Sequence, residues 1–79
     1  MKVRNQKYLI AFGNNLKNLI ANRKKTPEEV AALGCIETKQ VYRAINAERS
    51  ITLSSLVAIA KGLEVAPKKL LDFDFDFED

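Results

Sequence analysis

Cys35, Ser54 and Ser55 are candidate nucleophiles, and the chain contains no His to activate any of them. The only acidic cluster is a flexible-looking tail, Asp72 to Asp79. With no His and a single Cys, the sequence offers no ligand set for a structural zinc, and no other metal or cofactor is expected. An enzyme is therefore the least expected function class. What the chain does supply is a row of polar side chains. Thr38, Lys39, Gln40, Tyr42 and Arg43 share the short stretch TKQVYRAI with Val41, Ala44 and Ile45, which take the opposite side of a helix. Long polar groups turned away from a core need solvent or a polar partner.

Charge narrows the choice of partner. The formal charge over 79 residues is +3, but five of the ten acids (Asp72, Asp74, Asp76, Glu78 and Asp79) lie in the last eight residues. Residues 1–71 carry thirteen bases against five acids, a formal +8. A body this basic attracts polyanions, nucleic acid first among them, and a solvated Lys-rich surface is the bland alternative. No apolar run approaches the roughly 18 residues of a membrane span, and no secretory pattern opens the chain. A cytoplasmic domain with no membrane partner is expected.

The elements that would position this polar row are helices. Leu9, Phe12, Leu16, Leu19 and Ile20 recur at spacings of three and four, which predicts a first helix from about Asn5 to Arg23. Gly13 would weaken it by roughly 1 kcal/mol relative to Ala, a cost consistent with a close helix contact. Arg23, Lys24 and Lys25 fall in its last turn and just beyond, where cations suit the helix dipole. Thr26-Pro27-Glu28-Glu29 is a capping box that opens a second helix, with Val30, Ala31 and Leu33 inward and Gly34 as its stop. The third runs from about Thr38 to Asn46. Thr52 caps a fourth, bearing Leu53, Leu56, Val57, Ile59, Ala60 and Leu63, and Pro67 starts a short fifth with Leu70 and Leu71. The expected fold is a compact all-α, five-helix domain over residues 1–71, followed by an acidic, Phe-containing tail over residues 72–79.

Spacing gives the second and third helices a joint meaning. Ala31 is small where two crossing helices must approach, a turn follows at Gly34-Cys35-Ile36, and Val41 lies ten positions after Ala31. Ala31, Cys35, Ile36, Val41 and Ala44 form the buried set of a helix-turn-helix, which leaves the third helix protruding. On these residues, and on the order of elements from Leu16 to Leu71, the sequence resembles the lambda-repressor-like DNA-binding domains of the phage repressor and Cro type. That resemblance implies a homodimer on double-stranded DNA with the third helix in the major groove. Thr38, Lys39, Gln40 and Arg43 then become the candidates for base edges. Arg43 and Lys39 suit guanine and Gln40 suits adenine. Arg23, Lys24, Lys25, Thr26, Tyr42, Asn46 and Arg49 are the candidate phosphate contacts. The bland alternative is that Lys39 and Arg43 belong to an ordinary solvated face.

Three positions depart from the family pattern. Pro27 replaces the usual Gln, removing a side-chain phosphate contact, although backbone amides at that helix end remain. Cys35 replaces the Gly of the turn, so a left-handed conformation there would cost about 1–2 kcal/mol. Glu37 replaces a small hydroxyl or amide residue, placing an acid near phosphates.

In DFDFDFED, an extended chain would put Phe73, Phe75 and Phe77 on one face and the carboxylates on the other. Three readings stay open: an end whose first Phe caps the core, an arm that buries Phe against a second subunit, and docking on another protein or competition with DNA for the basic surface. The leading expectation is a sequence-specific transcriptional regulator, a repressor, on a near-palindromic operator. The alternative is an antitoxin or other protein-interaction module whose tail binds a partner protein. A controller of a restriction–modification system is a third version.

Overall fold

Three of the helices described begin where a short polar side chain takes an orphan amide. Asn5 accepts from the Tyr8 amide at 2.9 Å and opens α1, Gln6–Asn22. Thr26 accepts from the Glu29 amide at 3.2 Å while Glu29 accepts from the Thr26 amide at 2.9 Å, so the capping box forms as expected and opens α2, Pro27–Gly34. Thr52 accepts from the Ser55 amide at 3.0 Å and opens α4, Leu53–Leu63. The helix between them, α3 over Thr38–Ile45, starts at Glu37 with no side-chain cap. This computed structural model describes residues 5–76, and the described residues form no strand.

The last element differs from expectation. Pro67–Leu71 is a 3₁₀ helix, so the described residues hold four α-helices and one tighter turn. Five residues with a single buried side chain, Leu70, give too little packing to extend it. Asn15 on α1 donates to the Lys69 and Leu70 carbonyls at 3.1 and 3.0 Å, satisfying the end of the turn.

The core is built from the predicted stripes. Leu16, Val30, Val41, Ile59, Leu63 and Leu70 are fully buried. α2 packs along α4 and across α3, while α1 lies against α3 and the 3₁₀ helix. Gly13 sits at the α1–α3 crossing, where a Cβ would run into the Ile45 carbonyl, so the close contact read from sequence is present. Four apolar residues expected inside lie on the surface: Leu33, Leu53, Val57 and Leu71. Leu53 is 78% exposed because the first turn of α4 extends past the core, and Val57 stands one position round the wheel from buried Leu56. Leu33 edges the inner face of α2 formed by Val30, Ala31 and Gly34.

The turn between α2 and α3 closes as a Schellman motif. Cys35 takes φ 60°, its amide donates to the Ala32 carbonyl at 3.3 Å, and the Ile36 amide reaches the Ala31 carbonyl at 3.1 Å. Gly34 is the last helical residue and Cys35 the left-handed cap, so the stop lies one residue later than expected. A Cβ at 34 would run into the Ala58 carbonyl on α4. Glycine is therefore spent on the helix contact and Cys35 bears the strained turn. The Cys35 side chain is exposed, correcting its place in the buried set; Ala31, Val41 and Ala44 are buried and Ile36 partly so.

Candidate nucleic-acid interface

α3 has two flanks, each ending in a cleft. On the side of α4, Lys39, Gln40, Arg43 and Arg49 line a cleft of about 330 Å³ with Glu37 and Ser55. The loop after α3 holds Arg49 there: Glu48 donates its amide to the Arg43 carbonyl at 2.9 Å, and Gln6 on α1 donates to the Ala47 carbonyl at 3.1 Å. A hydroxyl chain crosses from α4 to α3, with Thr52 donating to Ser55 Oγ at 3.1 Å and Ser55 donating to Gln40 Oε1 at 3.3 Å. The Lys39 ammonium stands 3.9 Å from Glu37, a contact between two well-exposed groups that contributes little.

On the side of α2, Tyr42 and Asn46 line a cleft of about 450 Å³ with Lys17, Lys25, Pro27 and Ile45. The Tyr42 hydroxyl donates to Glu28 Oε2 at 2.7 Å, bridging α3 to the first turn of α2. That bond holds the Glu28 carboxyl below its ordinary range, helped by the Glu28 backbone amide, and raises the Tyr42 phenol above its own. The second helix end, expected to offer spare amides to a phosphate, thus carries a carboxylate instead.

The sequence of residues 15–76 matches the model of the Cro/C1-type helix-turn-helix DNA-binding domain. The chain belongs to that family. Among solved structures, the fold is similar to the restriction-modification controller protein C.AhdI from Aeromonas hydrophila, with a TM-score of 0.76 and 23% identity over 81% of this chain and 97% of the other. No curated protein sequence matches the chain significantly. No helix among the described residues is long and apolar enough to cross a membrane.

Within this Cro/C1-type domain, the predicted site residues divide three ways. Lys39, Gln40, Arg43 and Arg49 come together on the α4 flank, while Thr38 stands in the first turn of α3, partly exposed. Tyr42, Asn46 and Lys25 share the α2 flank. The basic run is drawn inward more than expected. Arg23 is the C-cap of α1, and its Nε donates to the Leu63 carbonyl at 3.1 Å. The Lys25 ammonium pairs with Glu64 at 3.2 Å, and the lysine side chain is only 18% exposed. No cation of the run lies in the last turn of α1, whereas Lys24 is exposed with φ 55°. The Thr26 hydroxyl is taken by the capping box.

Two residues that matter to this surface carry no sequence signal of their role. Glu28 reads only as part of a cap, and Ser55 as a polar residue of α4; each finds its partner on α3, fourteen and fifteen positions away. The described part of the tail turns back on its own chain. Phe73 and Phe75 pack against Tyr8, with ring centroids 5.1 and 4.8 Å apart, so both lie on one face as the alternation implies. Phe77 lies outside the described residues.

Proposed function

We propose that this chain is a sequence-specific transcriptional regulator, acting as a repressor, that binds a near-palindromic operator as a homodimer with α3 in the major groove. The observation that carries the reading is the two-sidedness of α3. Val41 and Ala44 are sealed in the core, while Lys39, Gln40 and Arg43 open with Arg49 into one cleft. Membership of the Cro/C1-type DNA-binding family supports the same reading. In the proposed complex Lys39, Gln40 and Arg43 face base edges with Thr38 beside them, and Arg49, Asn46 and Lys24 follow the phosphates. Tyr42 reaches a phosphate only by releasing Glu28. Repression would follow from occlusion of a promoter, and the likeness to a restriction–modification controller makes such an operon the first to test.

Selection from a random duplex pool, followed by titration at two salt concentrations, tests this. A two-fold symmetric site with half-sites about one helical turn apart is expected, bound well above a salt-sensitive background. Enrichment of no sequence would sink the proposal. For the dimer, Phe73 and Phe75 with Tyr8 form the aromatic patch we assign to subunit contact. Deleting residues 73–79 should lower the mass measured by light scattering. An unchanged mass would move the contact to exposed Leu53 and Val57 on α4.

A further inference from the structure

We propose that Ser55 is a positioning residue that makes Gln40 read guanine in preference to adenine. The inference rests on the reading that α3 enters the major groove. Its basis is the direction of the hydroxyl chain between α4 and α3. Thr52 Oγ1 accepts the Ser55 backbone amide at 3.0 Å as the helix cap. The Thr52 hydroxyl accepts that amide with one lone pair and donates its single proton to Ser55 Oγ, 3.1 Å away. Ser55 passes its own proton to Gln40 Oε1 at 3.3 Å. The carboxamide oxygen is thereby engaged by α4, while the two Nε2 protons of a residue that lines the same cleft as Lys39 and Arg43 are left unspent.

A free glutamine matches adenine by accepting from N6 and donating to N7 at once. A glutamine whose oxygen is held by Ser55 has one of its two lone pairs spent and its amide oriented by α4, so what it offers a base is chiefly its two Nε2 protons. Guanine presents two acceptors, N7 and O6, on the same edge, and adenine opposes the held amide with its own N6 donor. The lysine and arginine beside Gln40 are likewise donors only, set against one carboxylate in the cleft, Glu37, so donors predominate around Gln40.

The test uses the full chain and the duplex that selection enriches. The position where Gln40→Ala loses preference is identified first, and the four base pairs are then compared there with wild type, Ser55→Ala and Ser55→Thr. Wild type should favour guanine over adenine by about tenfold, and Ser55→Ala should move the ratio toward adenine by a similar factor. Ser55→Thr, which keeps the hydroxyl, should retain the wild-type order. The α4 cap survives in Ser55→Ala because it uses the backbone amide. A wild-type preference for adenine, an unchanged ratio in Ser55→Ala, or an equal loss on all four duplexes would overturn the assignment while leaving the regulator reading intact. So would a Gln40→Ala protein with unaltered preference everywhere. If wild type enriches no duplex, the groove reading itself fails and takes this inference with it.

Discussion

The two flanks of α3 are built on the same local device and reach opposite results. Each is anchored by a threonine that caps a neighbouring helix, Thr26 on α2 and Thr52 on α4. Beside Thr52 the next polar partner is a neutral hydroxyl, Ser55, which touches only the oxygen of Gln40. Beside Thr26 it is a carboxylate, Glu28, which takes the one proton Tyr42 has to give. The neutral flank leaves the Gln40 Nε2 protons unspent, with Lys39, Arg43 and Arg49 lining the same cleft. The other spends its donor on a neighbouring helix at the surface and adds a negative charge at a helix end where an anion would otherwise be welcome. The difference teaches that a polar residue on a protruding helix is available to a ligand only in so far as its packing neighbours leave its hydrogen-bonding atoms unspent.

The largest expected effect breaks the scaffold shared by both flanks. Gly34→Ala drives a Cβ into the Ala58 carbonyl and must lift α2 off α4, costing about 1–3 kcal/mol in thermal or denaturant unfolding. Cys35→Gly has the opposite sign, since it relieves a left-handed residue that is exposed, and should stabilise by about 1 kcal/mol. Equal responses at 34 and 35 would show that the contact and the turn had been assigned wrongly. Next in size is the contrast between a reader and a follower. Arg43→Ala should cost about 1–3 kcal/mol on the preferred duplex and relax preference at one base step, whereas Arg49→Ala should weaken all duplexes alike and flatten the salt dependence. Equal losses on every duplex from both variants would remove Arg43 as a reader.

Much of the scaffold is legible in the residues themselves. Both threonine caps, the inward stripe of α1 from Phe12 to Ile20 and the small-to-aliphatic spacing from Ala31 to Val41 depend on neighbours close in sequence and are found as read. Leu9, by contrast, stays half-buried, and Tyr8 packs on the core in its place. The misreadings share a cause. Gly34 looks like a helix stop because glycine commonly occupies left-handed caps, yet every left-handed residue described here is something else: Lys24, Cys35, Ala47 and Glu64. The demand for glycine at 34 comes from α4, across the fold, and no local pattern reports it. Leu33 and Val57 fail for a related reason, since periodicity marks an apolar stripe but not how wide a neighbour covers it. Arg23 and Lys25 read as free cations until the end of α4 comes up beside them. The pairings Tyr42–Glu28 and Gln40–Ser55 are invisible for the same reason, being set by the angle at which three helices meet.

The smallest predicted effect isolates charge on the α2 flank. Glu28→Gln keeps an acceptor for the Tyr42 hydroxyl, so α3 should stay in place while the carboxylate disappears. Affinity should then rise about two- to fivefold on every duplex at low salt, fade as salt increases, and leave base preference unchanged. Acid gives the complementary measurement. The Glu28 carboxyl titrates below its ordinary value of 4.5 because Tyr42 donates to its charged form, so the stability it contributes is complete above that value and is lost as pH falls through the lower folded-state value. Wild type and Glu28→Gln should therefore differ in stability by a constant amount near neutrality and converge in acid, as protonation makes the wild-type side chain as neutral as its replacement. Parallel curves down through the acid range would mean that the Tyr42–Glu28 bond is not holding that proton off, and the two flanks would then differ in shape alone.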